Sequence, residues 1–336
     1  MDMLKYLLRR ILTFLPLMFG VIFIVFVLVR LLPGSPVHRL AGTNANAAMV
    51  EAITKKMGLD KPMGEQFLIY IKGLLRGDLG LSWNTSNPVS QDLLVRFPAT
   101  LELITLSLVN CFVFGIFLGT AAAVQPKGFF CKIANVYGLV AGAIADFWVG
   151  LMFIFIFFFT FRLLPAPIGR LDLMTTPPET VTGFLLLDSL LTGNMATFKD
   201  AFLHLILPVA SLTVCFTAPI MKMTRSSMSE VLQSDFVAYS RMLGLPNRTV
   251  TRYAIRNAMP PVVTMIGYTY GFLLGGAVLV ETVFGWGGLG QYVTLAIANK
   301  DYAAIQGFML VATIFSMAVY LVVDVVYMLI DPRIKF

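Results

Sequence analysis

Charge, histidine and cysteine are scarce in this chain, and each scarcity excludes a class of function. Only 13% of its 336 residues are Asp, Glu, Lys or Arg, against roughly a quarter in soluble domains. With 58% hydrophobic residues and a mean hydropathy of +0.82, the balance is that of a membrane protein. The histidines are His38 and His204 alone, and Cys111, Cys131 and Cys215 show no CxxC spacing, so no dedicated metal site is expected. No Gly-Lys dipeptide occurs, which removes a P-loop for nucleotide phosphates. Nothing forms a Ser/His/Asp set, and no catalytic residue is expected. Gly285-Trp-Gly-Gly-Leu-Gly290 formally matches G-x-G-x-x-G, but it follows an apolar run without a strand-turn-helix setting and reads as a turn. The net charge of +7 reflects membrane topology here, not nucleic-acid binding.

What the chain has is long apolar stretches. Six read as spans: about Ile11–Leu32, Leu101–Val124, Ile133–Phe161, Leu205–Met221, Val262–Phe284 and Ile305–Ile330. The first supplies roughly 33 Å of helix, enough for a hydrocarbon core of about 30 Å. In lipid every backbone group must be paired, so the expected fold is all-α and integral to the membrane. The third stretch is longer than a bilayer needs, which leaves it tilted, broken or extended, and leaves a seven-span count open. Lys5 and Arg9-Arg10 precede the first run as in a signal sequence. No small-residue cleavage site follows, so the run reads as a retained anchor.

Charge orients the spans. Residues 1–10, 125–132, 222–258 and 331–336 are roughly two and a half times as dense in Lys and Arg as the opposite side. Both termini and the 222–258 loop are therefore expected in the cytoplasm. Residues 33–98 form the first external loop. Two amphipathic candidates, about Asn46–Met57 and Gly64–Leu75, a Pro33–Pro36 exit and a turn at Asn84–Pro88 make it a small folded cap. No separate soluble domain is visible, and residues 1–336 read as one transmembrane domain.

Within the cytoplasmic loop, Ser234-Asp-Phe-Val-Ala-Tyr-Ser-Arg-Met-Leu-Gly244-Leu-Pro246 is too short and polar to span. Ser234 or Asp235 can cap its start, Gly244 can take the left-handed position after its end, and Pro246 stops it. Phe236, Tyr239 and Leu243 form one apolar stripe. Such a knob either engages a soluble partner or lies on the lipid surface. In the fifth span, Gly267, Gly271 and Gly275 share a face and allow a second helix close approach; Gly115/Gly119 and Gly138/Gly142 repeat the spacing. Four acids, Glu102, Asp146, Glu281 and Asp324, fall inside or at the edges of spans. A mid-bilayer carboxylate costs about 2.5–3.5 kcal/mol, so it faces a cavity or a partner. Asp146 lies nearest the middle of its stretch. Such groups keep a proton-coupled secondary transporter open as an alternative class.

Phe236-Val-Ala-Tyr-Ser-Arg-Met-Leu-Gly244 followed by Ile255-Arg-Asn-Ala-Met-Pro-Pro261 resembles the cytoplasmic loop of ABC import permeases, closest to the dipeptide/oligopeptide branch with its nickel and glutathione systems. The likeness covers nearly the whole chain: Tyr6–Arg10 with Arg30–Gly34, Gly58–Pro62, Gly77–Gly80, Pro98–Glu102, Glu281–Phe284, Gly288–Gly290, Asp301-Tyr302 and Asp331–Arg333, in order. The resemblance implies a non-catalytic permease subunit in the bacterial inner membrane, forming half of a translocation pathway. It implies as partners a second homologous permease, two ATPase subunits that bind ATP and magnesium, and an external solute-binding protein. The 234–246 segment would be the coupling helix. Asp235, Phe236, Tyr239, Arg241, Leu243 and Gly244 would meet the ATPase, with Arg256 and Asn257 linking the loop to the fifth span. Asp146, Phe147, Trp148 and Glu281 are the pathway candidates. Di- or oligopeptides are the expected cargo, with nickel complexes, glutathione or another small solute as alternatives.

The sequence departs from the family pattern twice. The usual Ala-Arg-Ala-Lys-Gly reads Ser240-Arg-Met-Leu-Gly244, making the expected interface more apolar. Where relatives have Pro-Ser before Phe-Trp, this chain has Ala145-Asp146, so a pathway lined by Asp146 would favour cationic substrates; an Asp held by a neighbouring helix is the competing reading.

Overall fold

The computed structural model describes residues 3–31, 47–56 and 58–330. The Pro33–Pro36 exit, His38 and the 331–336 tail, with its Asp331-Pro-Arg333 match, lie outside the described residues. Among those described the regular structure is helical: α1 (Met3–Leu31), α2 (Ala47–Lys56), α3 (Met63–Leu75), α4 (Val89–Val124), α5 (Phe129–Val140), α6 (Asp146–Phe153), α7 (Leu185–Leu191), α8 (Met195–Leu232), α9 (Asp235–Met242), α10 (Asn247–Phe284), α11 (Leu289–Asn299) and α12 (Tyr302–Ile330). Five of these are long and apolar enough to cross a membrane: α1 over Leu12–Leu31, α4, α8, α10, and α12 over Tyr302–Val326.

The third expected span is two pieces. α5 ends at Val140, a turn occupies 141–145, and α6 runs on as a π-helical segment, Ile154–Thr160. The Ala-Gly-Ala-Ile-Ala connector has Ile144 as its one large side chain, and Asp146 opens the new helix. Of the three outcomes that excess length allowed, the break is the one adopted. The helices also extend beyond the apolar runs. α4, α8 and α10 have 36, 38 and 38 residues, roughly 54–57 Å at 1.5 Å per residue. A hydropathy window stops where polar residues begin, but the backbone does not. Asp92 and Thr197 continue these helices as buried residues, and Pro208, Pro219, Pro260 and Pro261 are accommodated inside them.

α4 and α8 approach closely. A Cβ on Gly115 would lie 2.7 Å from Ile220 Cγ2, and one on Gly119 2.7 Å from the Met221 carbonyl. On α10, Gly267 faces Val323 and Gly271 faces the Tyr320 hydroxyl, so two of the three expected glycines seat α12. Gly275 has nothing within 4 Å and is not part of that contact. Gly138 lies under Lys222 of α8, whereas Gly142, in the turn that follows α5, faces the Gly138 and Leu139 carbonyls.

The end assigned outside by charge is tied together by buried carboxylates. Asp301 accepts from Ser82 Oγ (2.6 Å), Trp83 N (2.7 Å) and Asn84 N (3.2 Å), fastening the 81–88 turn to the start of α12. That turn closes on an isolated antiparallel bridge between Leu81 and Pro88. Glu102 pairs with Arg170 and accepts from Leu186 N at 2.8 Å. Asp188 holds Thr182 and Gly183 N. Of the cap expected between 33 and 98, residues 47–56 and 58–88 are described, and its amphipathic candidates are α2 and α3; Asn46 and Met57 lie outside the described residues, and the final ten residues belong to α4. Gly285, at φ +61, ends α10 and turns the chain toward α11, as the reading of the glycine-rich stretch expected.

Candidate functional site

The opposite end of the bundle carries α9, a helix of eight residues between α8 and α10. Its C-terminus is a Schellman motif. Gly244, at φ +72, donates to the Arg241 carbonyl (3.0 Å), and Leu245 N reaches the Ser240 carbonyl (3.3 Å). Pro246 then precedes the first residue of α10. The expected side-chain cap is not made. The Ser234 hydroxyl turns back to the Val231 carbonyl at 2.6 Å, satisfying the end of α8 in place of the start of α9.

One face of α9, Val237 and Ser240, is buried. The other presents Phe236, Tyr239 and Leu243 outward, at 46%, 63% and 61% exposure. Met242, which the stripe did not include, is the most exposed at 83%. Asp235 and Arg241 are exposed beside them. Four large apolar side chains on so short an element form a contiguous patch of the kind that marks an interaction site. A cluster of Ala123, Met228, Ala254 and Ala258 joins the loop to the bundle. Arg256 and Asn257, expected to link the loop to the fifth span, are exposed on the continuous α10, where Asn257 donates to the Tyr253 carbonyl one turn back. The join is made by Met228 seated among three alanines, apolar residues that carry no sequence signal apart from their spacing.

The four acids separate cleanly. Glu102 has Arg170, and Asp324 accepts from Arg10 at 2.7 Å. Glu281 is fully buried, accepting from Thr100 Oγ1 (2.6 Å), Gly290 N (2.7 Å) and Gln291 N (3.2 Å) at the start of α11. It therefore fastens α4, α10 and α11 together in this conformation, and does not line an open surface as expected. Asp146 differs. It opens α6, accepts the Phe147 N–H at 2.7 Å, has no ion-pair partner among the described residues and is half-buried. A Cβ on Gly276 of α10 would sit 2.8 Å from its Oδ2, and Phe216 of α8 closes the same spot. Phe147 and Trp148 follow it, exposed. Along α10, Tyr268, Phe272 and Leu279 are exposed around the open Gly275, so α6 and α10 each leave an apolar face uncovered. Among the described residues no group of three or more His, Cys, Asp or Glu could hold a metal ion.

Comparison with known proteins matches residues 115–336 to the family "binding-protein-dependent transport system inner membrane component" and residues 3–104 to the N-terminal model of the same systems. A probable D,D-dipeptide transport system permease protein of Escherichia coli K12 is 41% identical over 94% of this chain and 93% of its own length. A di/tripeptide transport system permease protein of Pseudomonas aeruginosa is 40% identical over 99% of both. A glutathione transport system permease protein of Pectobacterium atrosepticum is 32% identical over 99% of this chain and 100% of its own. The helical bundle, its protruding α9 and these matches agree: the chain belongs to the binding-protein-dependent transport system inner membrane components, the multi-pass, non-catalytic permease subunits of ABC transporters.

Proposed function

We propose that this chain forms one half of the pathway of an ATP-driven importer of di- or oligopeptides and takes its motion from a separate ATPase through α9. The observation that carries this reading is the outward apolar face of Phe236, Tyr239, Met242 and Leu243 on a helix locked by a Schellman turn. A rigid knob anchored at both ends to long spanning helices transmits displacement where a loose loop would absorb it. ATP and magnesium belong to that ATPase pair. The uncovered faces of α6 and α10 suit a second, homologous permease across the pathway, and the cap at the charge-poor end suits a solute-binding protein. Asp146 faces the pathway between them and favours cationic peptides. Residues 1–336 act as one permease domain.

Peptide cargo follows from the relatives, whose names specify dipeptide, di/tripeptide and D,D-dipeptide transport. The glutathione relative supports a second reading in which the cargo is that tripeptide. A proton-coupled carrier is disfavoured, because three of the four acids are held by fixed partners. Uptake of a labelled dipeptide, in cells with and without this chain and with parallel peptide importers removed, tests the reading. Loss of uptake, with unlabelled tripeptides competing better than glutathione, is expected. Unchanged dipeptide uptake with lost glutathione uptake would move the cargo to the second reading.

A further inference from the structure

A cavity of about 480 Å³ opens between α1, α3 and the start of α12, on elements that neither α9 nor the Asp146 face uses. Arg30, Gln66, Tyr70, Trp83 and Gln306 line it. The Arg30 guanidinium lies 3.5 Å from the centroid of the Phe26 ring and donates through Nε to Gln66 Oε1 at 2.8 Å. Among the described residues no carboxylate pairs with it. Lys55 and Lys61 at the rim are spoken for by Glu51 and Glu65, and Asp78 accepts from Gly80 N. Gln306 is 6% exposed, and its Nε2 finds no acceptor among the described residues. Burial pushes the Tyr70 hydroxyl up to about 12, so it stays a protonated donor. The cavity thus gathers a cation and neutral donors around a place where an acceptor-rich anion would satisfy them.

Depth identifies the anion. Arg30 is the penultimate residue of the span Leu12–Leu31, and Gln306 lies one turn into Tyr302–Val326, so the cavity sits at the boundary of hydrocarbon and headgroups. α3 runs beside it with Phe67 against Phe19, Phe23 and Phe26, at centroid distances of 5.9, 5.4 and 5.0 Å. No residue of α3 is buried, and Leu68, Ile69 and Leu75 are exposed. An apolar helix laid against the outer part of a span is one that rests in the membrane interface.

We propose that this cavity is a phospholipid site, in which the phosphodiester of an outer-leaflet lipid accepts from the Arg30 guanidinium and the Gln306 amide. Arg30 turns Nε to Gln66 and Nη1 to the Phe26 carbonyl (3.5 Å), which leaves Nη2 to donate to a phosphate oxygen, and the acyl chains run along the exposed apolar faces of α1 and α3. The site fastens α3, and with it the external cap, to the membrane surface. It rests on none of the residues that carry the transport reading.

The test is retention of radiolabelled phosphatidylglycerol by the full-length chain through gel filtration in non-ionic detergent. The wild-type chain is expected to retain lipid. Arg30→Gln and Gln306→Leu should each lower retention by about tenfold, the loss of one charge-assisted or buried hydrogen bond; Arg30→Lys should lose less. Millimolar inorganic phosphate should not displace the lipid. Equal retention by well-folded variants, or displacement by inorganic phosphate, would overturn the proposal. A photoactivatable phosphatidylglycerol needs no variant: it should label residues 66–83 of the wild-type chain, and labelling confined to other segments would overturn it equally.

Discussion

Glu281, Glu102 and Asp188 show how single side chains hold the end assigned outside by charge. Removing the Glu281 carboxylate strands Thr100 and two backbone N–H groups in a dry site, where each unsatisfied group costs about 1–3 kcal/mol. Glu281→Ala should therefore lower the melting temperature in detergent markedly, while Asp324→Asn, whose pair with Arg10 is part-exposed, should shift it little. Asp188 sets a pH dependence. Burial raises its pKa, but hydrogen bonds from the Thr182 hydroxyl, Thr182 N and Gly183 N outweigh it and hold the carboxyl below its ordinary value. A depressed folded pKa means stabilisation that is present above the unfolded value of about 4 and lost as pH falls through the folded one. Asp188→Asn should thus be less stable than wild type at neutral pH, with the gap closing below about pH 4. A gap that persists in acid would contradict this. These residues were only partly legible. Apolarity flagged Glu102 and Glu281 as acids out of place, but their partners, Arg170 and the start of α11, lie 68 and 9 residues away. Asp301 sits in a polar segment where an acid raises no alarm, and Asp188 lies in Leu185–Leu191, an apolar stretch too short to read as a span.

Among the elements, α9 was legible almost residue by residue. A glycine followed two residues later by proline, after a short amphipathic stretch, specifies one stop signal, and Gly244 at φ +72 supplies it. Gly244→Val must place a β-branched residue in the left-handed region, a cost of about 1–2 kcal/mol. Uptake should fall while the amount of membrane-inserted chain stays near wild type. Equal loss of both would mean that the turn serves folding and not transmission. The third span was illegible in detail because a break between two apolar helices leaves hydropathy high throughout; Gly142 and Asp146 were its only marks. Asp146 now has a reason to be there, at the first turn of α6, where the helix dipole favours a negative charge. Asp146→Asn should lower the uptake ratio of cationic to neutral peptides; an unchanged ratio would remove it from the pathway.

For the whole molecule, the division of labour follows the two ends. The end poor in basic residues is fastened by buried acids, the middle is seated on glycines facing Ile220, Thr224 and Val323, and the basic end leaves an apolar knob uncovered. Composition made the class readable, because lipid permits so few folds. Helix pairing was readable only where glycines fix it, since long-range contacts between apolar faces have no spacing of their own. The central claim is that α9 carries the force of ATP hydrolysis into these helices. Its most direct test is dipeptide uptake by proteoliposomes of the full complex, with ATP inside, comparing the wild-type chain with Phe236→Ser/Tyr239→Ser. Uptake should collapse in the variant and should be indifferent to a proton uncoupler in the wild type. Undiminished ATP-dependent uptake by the variant, or uptake that the uncoupler abolishes while ATP is held constant, would contradict the account.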